Sequence, residues 1–145
     1  MKKRTIIFFV LIAILFFVTN YIEDYKEFIV YEIVDGDTIK ISDGSIIRLT
    51  GINAPEKGEP CYEEAKEKLK ELVYRKSIRL EKDTENRDVY GRLLRYVYVK
   101  EMFINSEMVR LGLARSEEVG QNKKYSELFL ELESKARDAG RCIWL

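Results

Sequence analysis

Three short segments of this 145-residue chain contain side chains suited to the chemistry of a phosphodiester bond. They read DGDT from Asp35, RLTGINAPE from Arg48 and YGR from Tyr90, and together they supply carboxylates, an amide and two guanidinium groups. Oxygen ligands of this kind hold a hard cation, a further carboxylate can take a proton from water, and an arginine fork matches two phosphate oxygens. These residue types therefore indicate metal-assisted attack on a phosphodiester.

The rest of the composition removes most competing chemistries. The chain has no histidine and two cysteines, Cys61 and Cys142, which excludes Ser-His-Asp triads, zinc sites that use histidine and Cys-His nucleophile pairs. The formal net charge is zero, but Lys2, Lys3 and Arg4 precede the first acidic residue, so the remainder is slightly acidic. A nucleic acid would thus be held by local arginines and a bound cation rather than by long-range attraction.

The N-terminus carries an unbroken apolar run from Ile6 to Val18, preceded by three positive charges. It has the length of a signal peptide, but no Ala-x-Ala-like cleavage site follows, and residues 5–22 are just long enough to cross a bilayer. We predict that residues 1–22 form an uncleaved membrane anchor, the alternative being a cleaved signal. The positive flank places a domain of residues 23–145 outside the cytoplasm, anchored to the membrane or secreted.

The elements that must position the three segments follow from hydrophobic periodicity. Alternating apolar residues between Phe28 and Leu49 predict three successive antiparallel strands, and two more are predicted at Ser77–Glu81 and Leu93–Val99. An amphipathic helix is predicted from Pro60 to near Arg75, with two further helices ending at glycines. Five strands with a helix between the third and fourth predict an α+β, mainly β, fold: a Greek-key OB-fold barrel with about three helices, preceded by the N-terminal hydrophobic segment.

Five motifs in order give the chain a resemblance. They are VDGDT, RL-x-GI-x-x-PE, YGR, VR-x-GLA and a closing IW, and they run from about Tyr31 to Trp144. In this succession the chain resembles the thermonuclease family, whose domains are called staphylococcal-nuclease-like. The resemblance implies an OB-fold with three helices and calcium-dependent cleavage of DNA and RNA.

The resemblance also implies a metal site. Asp37 corresponds to a metal ligand, with Asp35 close behind it, and the backbone carbonyl of Ala54 completes the ligands that the protein supplies. Where many members of the family have an aspartate as second ligand, this chain has Asn53, which offers an oxygen without the charge. We therefore expect weaker binding of Ca²⁺.

The remaining roles implied by the resemblance concern the substrate. Arg48 and Arg92 correspond to the arginines that hold the phosphate, and Glu56 to the residue that orients or deprotonates the attacking water. Tyr90 keeps the place of a substrate-binding tyrosine, whereas Glu117 to Val119 stand where other members have base-stacking tyrosines. Fewer stacking partners predict weaker substrate binding more than altered chemistry.

Two alternatives remain open from the sequence. Cys61 and Cys142 are either independent buried thiols or, as favoured for an exported domain, a disulfide. The domain, expected to be monomeric, is either a calcium-dependent nuclease or a noncatalytic, membrane-anchored OB-type module that binds nucleic acid. Retention of a base candidate beside a metal-ligand candidate favours the enzyme, because a binding module needs no base.

Overall fold

The computed structural model describes residues 2–24 and 27–145, and side chains within residues 5–18 and 27–145. In this part of the chain the helices are α1 (Lys2–Asp24), α2 (Tyr62–Val73), α3 (Ile104–Arg110), α4 (Ser126–Asp138) and a final 3-10 turn (Cys142–Trp144). The strands are β1 (Glu27–Ile33), β2 (Thr38–Ile41), β3 (Ile46–Leu49), β4 (Ile52–Asn53), β5 (Ser77–Glu81), β6 (Leu93–Val99), β7 (Met102–Phe103) and β8 (Arg115–Ser116).

Five strands close into a barrel. The sheet runs β3-β2-β1-β5-β6-β7, and a further pairing between β3 and β6 closes its first five strands into a ring. That pairing is parallel and matches Ile47 with Leu93 and Arg48 with Leu94, whereas the other neighbours are antiparallel. Closure removes the free edges that an open sheet would expose. The predicted α+β fold with a five-stranded OB-type barrel is confirmed.

The barrel interior is filled by branched aliphatic side chains because inward positions alternate with outward ones along each strand. Ile39, Ile47 and Leu49 are fully buried, as are Ala65 and Leu69 on the inner face of α2. This placement agrees with the amphipathic periodicity predicted for that helix. The packing sets the start of α2 beside the barrel, next to the segments that carry the predicted site.

Helix α4 covers the turn between β3 and β4. Gly51 lies in this turn at a φ of 80°, and a Cβ atom built there would lie only 2.4 Å from the ring of Phe129. Glycine is therefore required both by the backbone conformation and by the close approach of the ring. The turn delivers the chain from Arg48 to Asn53 within a few residues.

The predicted strands and helices 2–4 are found at the expected places, but three two-residue strands were not predicted. Among these, β4 pairs antiparallel with β8, matching Asn53 with Arg115 and Ile52 with Ser116. Strands this short carry no readable alternation, so periodicity does not reveal them. Their pairing brings a C-terminal segment against the predicted metal-binding region.

The N-terminal segment forms α1, along which every described side chain between Thr5 and Val18 is exposed. Within the described residues, none of the helices has both the length and the apolar character needed to cross a membrane. The predicted anchor, residues 1–22, lies partly outside the described residues. The anchor and the domain boundary after residue 22 stay predictions.

Candidate active site

The turn before β2 presents Asp37 to the barrel. The backbone N–H of Asp37 donates to Asp35 Oδ1 at 3.0 Å, which closes the turn around Gly36. A Cβ atom at position 36 would lie 2.7 Å from the Cβ of Ala54 and 2.9 Å from that of Ala65, so only glycine allows the turn to approach both segments. Asp35 thus shapes the turn that places Asp37.

The Asp37 side chain is 8% exposed and engages three donors. Its Oδ2 accepts a hydrogen bond from the Ala54 backbone N–H at 2.7 Å, and its Oδ1 accepts one from Thr38 Oγ1 at 3.0 Å. Arg48 Nε lies 3.2 Å from the same Oδ1. Burial nevertheless raises the pKa of Asp37 to about 6, against the opposing effects of Arg48 and the hydrogen bond from Ala54.

The guanidinium of Arg48 is held at each of its three nitrogens. Nη1 donates to the carbonyl oxygens of Leu49 and Ile52, both at 2.7 Å, while Nε faces Asp37. Nη2 donates to Asn53 Oδ1 at 3.2 Å and to Glu117 Oε2 at 3.4 Å. With only 9% of its side chain exposed, Arg48 is a fixed, buried cation rather than a mobile surface arginine.

The predicted metal ligands converge on this arginine and its partner. Asp37, Asn53 and Ala54 are joined through the contacts just described, and Asp35 stands behind Asp37. The donors are carboxylate, amide and carbonyl oxygens, which suit a hard cation, and a carboxylate whose pKa burial raises is stabilised in its ionised form by a nearby positive charge. By donor type, these residues therefore fit a hard divalent cation.

The charge of such a site is low. Nowhere in the part of the chain that the structure describes do three or more His, Cys, Asp or Glu side chains gather as a metal cluster. Asn53 contributes an uncharged oxygen that already accepts from Arg48. The expectation that the chain binds Ca²⁺ weakly stays a prediction.

Glu56 borders a cavity of about 200 Å³ next to the metal-site candidates. The Glu56 side chain is exposed, and its backbone N–H donates to Glu59 Oε2 at 2.7 Å, which fixes the turn ahead of α2. The cavity is lined by Asn53, Ala54, Pro55, Glu56, Glu59, Pro60, Arg115 and Ile143. A substrate group or water in this cavity would meet Glu56 and the Asn53–Ala54 segment together.

A disulfide joins two walls of the cavity. Cys61 and Cys142 are bonded, with Cα atoms 6.0 Å apart, so the predicted bridge is present. Cys61 directly follows Pro60, and Cys142 directly precedes Ile143. The bond thus ties the segment that carries Glu56 to the C-terminal tail.

Arg92 stands on the loop that leads into β6, two residues before Leu94, the pairing partner of Arg48. Its Nε donates to Asp88 Oδ2 at 2.6 Å, and its backbone N–H donates to Asp88 Oδ1 at 2.9 Å. The guanidinium carbon is 5.4 Å from the centre of the Tyr90 ring, a cation–π distance. Tyr90 itself is 82% exposed, so its ring is accessible from solvent.

Sequence reasoning missed three residues that belong to this arrangement. Asp88, the partner of Arg92, stands four residues before it, and an aspartate ahead of a Tyr-Gly turn is a recognisable turn signal. Glu117 contacts Arg48, and Arg115 lines the cavity, but both depend on the β4–β8 pairing. No short-range pattern in the sequence points to that pairing.

Comparison with known proteins shows which sequences this chain is similar to. A family model described as staphylococcal nuclease homologue matches residues 46–145. The chain is 34% identical over 125 residues to a thermonuclease of Staphylococcus hyicus, with 79% of this chain and 73% of that protein covered. It is 32% identical over 128 residues to a thermonuclease of Staphylococcus intermedius, covering 82% and 76%.

A bacillary relative is also similar. The chain is 38% identical over 122 residues to the SPbeta prophage-derived endonuclease YokF of Bacillus subtilis. The match covers 77% of this chain but 41% of YokF. The similarity to YokF therefore concerns one part of a longer protein.

Proposed function

Because the chain belongs to the staphylococcal nuclease family, we propose that it is a nuclease that hydrolyses phosphodiester bonds of DNA or RNA with the help of Ca²⁺. Relatives named thermonuclease and endonuclease support the reaction class. The observation that carries the proposal is the buried pair of Arg48 with Asp37, placed beside the cavity that Glu56 borders. Such a pair gives a fixed positive group next to oxygen ligands for a cation.

Each residue has a distinct role in this proposal. Arg48 and Arg92 hold oxygens of the phosphate and stabilise the negative charge that grows on them during attack. Glu56 orients a water molecule in the cavity and takes its proton. Tyr90, exposed beside Arg92, stacks on a base of the substrate and adds about 1 to 3 kcal/mol of binding.

Asp37, Asn53, the carbonyl of Ala54 and Asp35 would hold the cation. When bound, Ca²⁺ supplies positive charge next to the phosphate. With Asn53 the site has one negative charge fewer than it would have with an aspartate. We therefore expect the Asn53→Asp variant to bind Ca²⁺ more tightly. Titration calorimetry on the two proteins measures this without reference to cleavage.

The N-terminal segment would tether the nuclease to the membrane with its domain outside the cytoplasm. The apolar side chains between Ile6 and Val18 are exposed, which supports the proposal that α1 contacts an apolar environment. The folded domain is proposed to act as a monomer. Extraction of membranes at alkaline pH distinguishes an anchored chain, which stays in the pellet, from a cleaved and secreted one.

Strand cleavage tests the proposed reaction. Single-stranded DNA, duplex DNA and RNA are incubated with the full chain while Ca²⁺ and Mg²⁺ are titrated, with Glu56→Gln as the test variant. Glu64→Gln is the matched control, because Glu64 is an exposed glutamate on α2 away from the cavity. We expect cleavage that needs Ca²⁺ and falls about a hundredfold or more in Glu56→Gln alone.

Two results of this cleavage assay would contradict the proposal. If the folded protein binds nucleic acid but does not cleave it at millimolar Ca²⁺, the noncatalytic binding module is the better account. If Glu64→Gln loses as much activity as Glu56→Gln, the role assigned to Glu56 is wrong.

A further inference from the structure

The contacts of Arg48 differ in how easily a substrate can replace them. The carbonyl oxygens of Leu49 and Ile52 belong to the backbone around the β3–β4 turn, and Asp37 is 8% exposed. Glu117 is different, because its side chain is 43% exposed and its Oε2 lies 3.4 Å from Nη2. Asn53, the other partner of Nη2, is partly buried, so Glu117 is the contact of this guanidinium that water or a ligand can most readily replace.

The backbone of Glu117 is fixed although its carboxylate is not. Its N–H donates to the Gly51 carbonyl at 3.0 Å, one residue beyond the β4–β8 pairing. The side chain therefore starts from a defined point beside the β3–β4 turn. Even when a ligand displaces it from Nη2, the negative charge stays close to Arg48.

We propose that Glu117 is a specificity-determining residue that makes the Arg48 position favour a phosphodiester over a phosphate monoester. The inference rests on the proposed function, in which Arg48 holds a phosphate of the substrate. A phosphate oxygen and the Glu117 carboxylate are alternative acceptors for the same Nη2 donor. The phosphate must displace the carboxylate in order to bind.

Selectivity follows from charge. A diester carries one negative charge, whereas a terminal phosphate or inorganic phosphate carries close to two at about pH 8. Repulsion from the nearby carboxylate scales with the charge of the ligand, so Glu117 penalises a monoester about twice as strongly in free energy. It thereby weakens retention of cleaved ends that carry a terminal phosphate.

The chain supplies a matched control for this charge. Glu118 is the next residue, and its carboxylate pairs with Lys123 at 2.8 Å rather than with Arg48. Glu117→Gln and Glu118→Gln therefore change net charge equally within one loop. A difference in anion binding between the two variants therefore reports the effect of a negative charge beside Arg48.

The test measures binding of two small anions to the full chain by NMR titration at about pH 8 without divalent cations. Relative to Glu118→Gln, the Glu117→Gln variant should bind inorganic phosphate about tenfold more tightly and dimethyl phosphate about threefold more tightly. Equal gains for the two anions, or none relative to the control, would overturn the proposal. Thermal unfolding confirms that both variants are folded.

A measurement on the unsubstituted chain keeps the proposal testable if Glu117→Gln does not fold. Inorganic phosphate should shift the ¹³C resonance of the Glu117 carboxyl carbon and leave that of Glu118 unchanged; an unmoved Glu117 would refute displacement. Strand cleavage separates the two hypotheses. If the unsubstituted chain cleaves nucleic acid but Glu117→Gln does not change anion selectivity, only the inference about Glu117 is refuted. If Glu117→Gln changes anion selectivity but the unsubstituted chain does not cleave, only the proposed function is refuted.

Discussion

The two arginines predicted to hold phosphate occupy opposite kinds of environment. Arg48 is 9% exposed in its side chain and touches two backbone carbonyls, an amide and two carboxylates within the barrel wall. Arg92 is 29% exposed and is held by one carboxylate, Asp88, on a loop beside the exposed Tyr90. One guanidinium is part of the core, and the other belongs to the surface.

This difference indicates how the site divides its work. The contacts of Arg48 with Asp37, Asn53 and two backbone carbonyls hold its guanidinium in place before charge develops near it, which is the condition for strong electrostatic stabilisation. A partly exposed guanidinium held by one carboxylate can turn towards a flexible polymer. The same residue type thus supplies a fixed charge at one position and an adjustable contact at the other, and the two should respond differently to the same substitution.

The largest effect is expected from Arg48→Lys. Lysine keeps the charge but cannot reach the carbonyls of Leu49 and Ile52, Asn53 and Asp37 together, so buried acceptors lose their donors. The free energy of unfolding should fall by about 3 to 5 kcal/mol, and cleavage by about a thousandfold. Denaturant titration and initial rates measure the two losses; unchanged stability would contradict a structural role for this arginine.

The next largest effect is expected from removal of the disulfide, which holds the Glu56 segment against the C-terminal tail. The bond closes a loop with a sequence separation of 81 residues, and its loss in a Cys61→Ala, Cys142→Ala double variant should lower the free energy of unfolding by about 4 kcal/mol. Hydrogen exchange should quicken around Glu56 and the C-terminal turn while the loop before Arg92 keeps its protection. Equal acceleration in both regions would remove the distinction between them.

Arg92→Lys should lower cleavage strongly while changing the free energy of unfolding little. Because its ion pair with Asp88 is partly exposed, the free energy of unfolding should change by less than about 1 kcal/mol. Cleavage should nevertheless fall about a hundredfold, since lysine lacks the planar fork that matches two phosphate oxygens. The comparison with Arg48→Lys is made under the same assay, and a stability loss as large as that of Arg48→Lys would refute the assignment of Arg92 to the surface.

The smallest effect is expected from Asp88→Asn. Burial alone would raise the pKa of Asp88, but the hydrogen bonds from the side chain and backbone of Arg92 outweigh it and hold the pKa below the ordinary value of 3.8. A carboxyl group whose pKa is lower in the folded state than in the unfolded state stabilises the fold above the unfolded-state pKa. This stabilisation is lost as the pH falls through the folded-state pKa.

Acid titration of stability checks this sign. The unfolding free energy of the Asp88→Asn variant should fall less steeply below about pH 4 than that of the unsubstituted chain. Cleavage at neutral pH should drop about fivefold, because Arg92 loses a positioning hydrogen bond worth about 1 kcal/mol. Identical acid profiles would show that Asp88 contributes nothing through its charge.

The sequence predicts the barrel better than it predicts the neighbours of the site. Strands β1, β2, β3, β5 and β6 carry enough alternation to be read directly, and α2 has a clear apolar face. The motifs place Asp37, Arg48 and Ala54 correctly in one cluster, although their roles stay predictions. The contact of Glu117 with Arg48 depends on a two-residue strand pair formed by segments distant in sequence, and local patterns do not encode such a pairing.

The parallel pairing of β3 with β6 also has a consequence for folding. It joins segments as distant as Ile47 and Leu93, and one residue to either side stand Arg48 on β3 and Arg92 ahead of β6. Pairings of high sequence separation must first overcome the entropy of closing a long loop, so they form late and slowly. We expect the strand segments that carry Arg48 and Arg92 to become neighbours only when the barrel closes, so that a chain in which β3 and β6 are unpaired does not present both arginines to one phosphate.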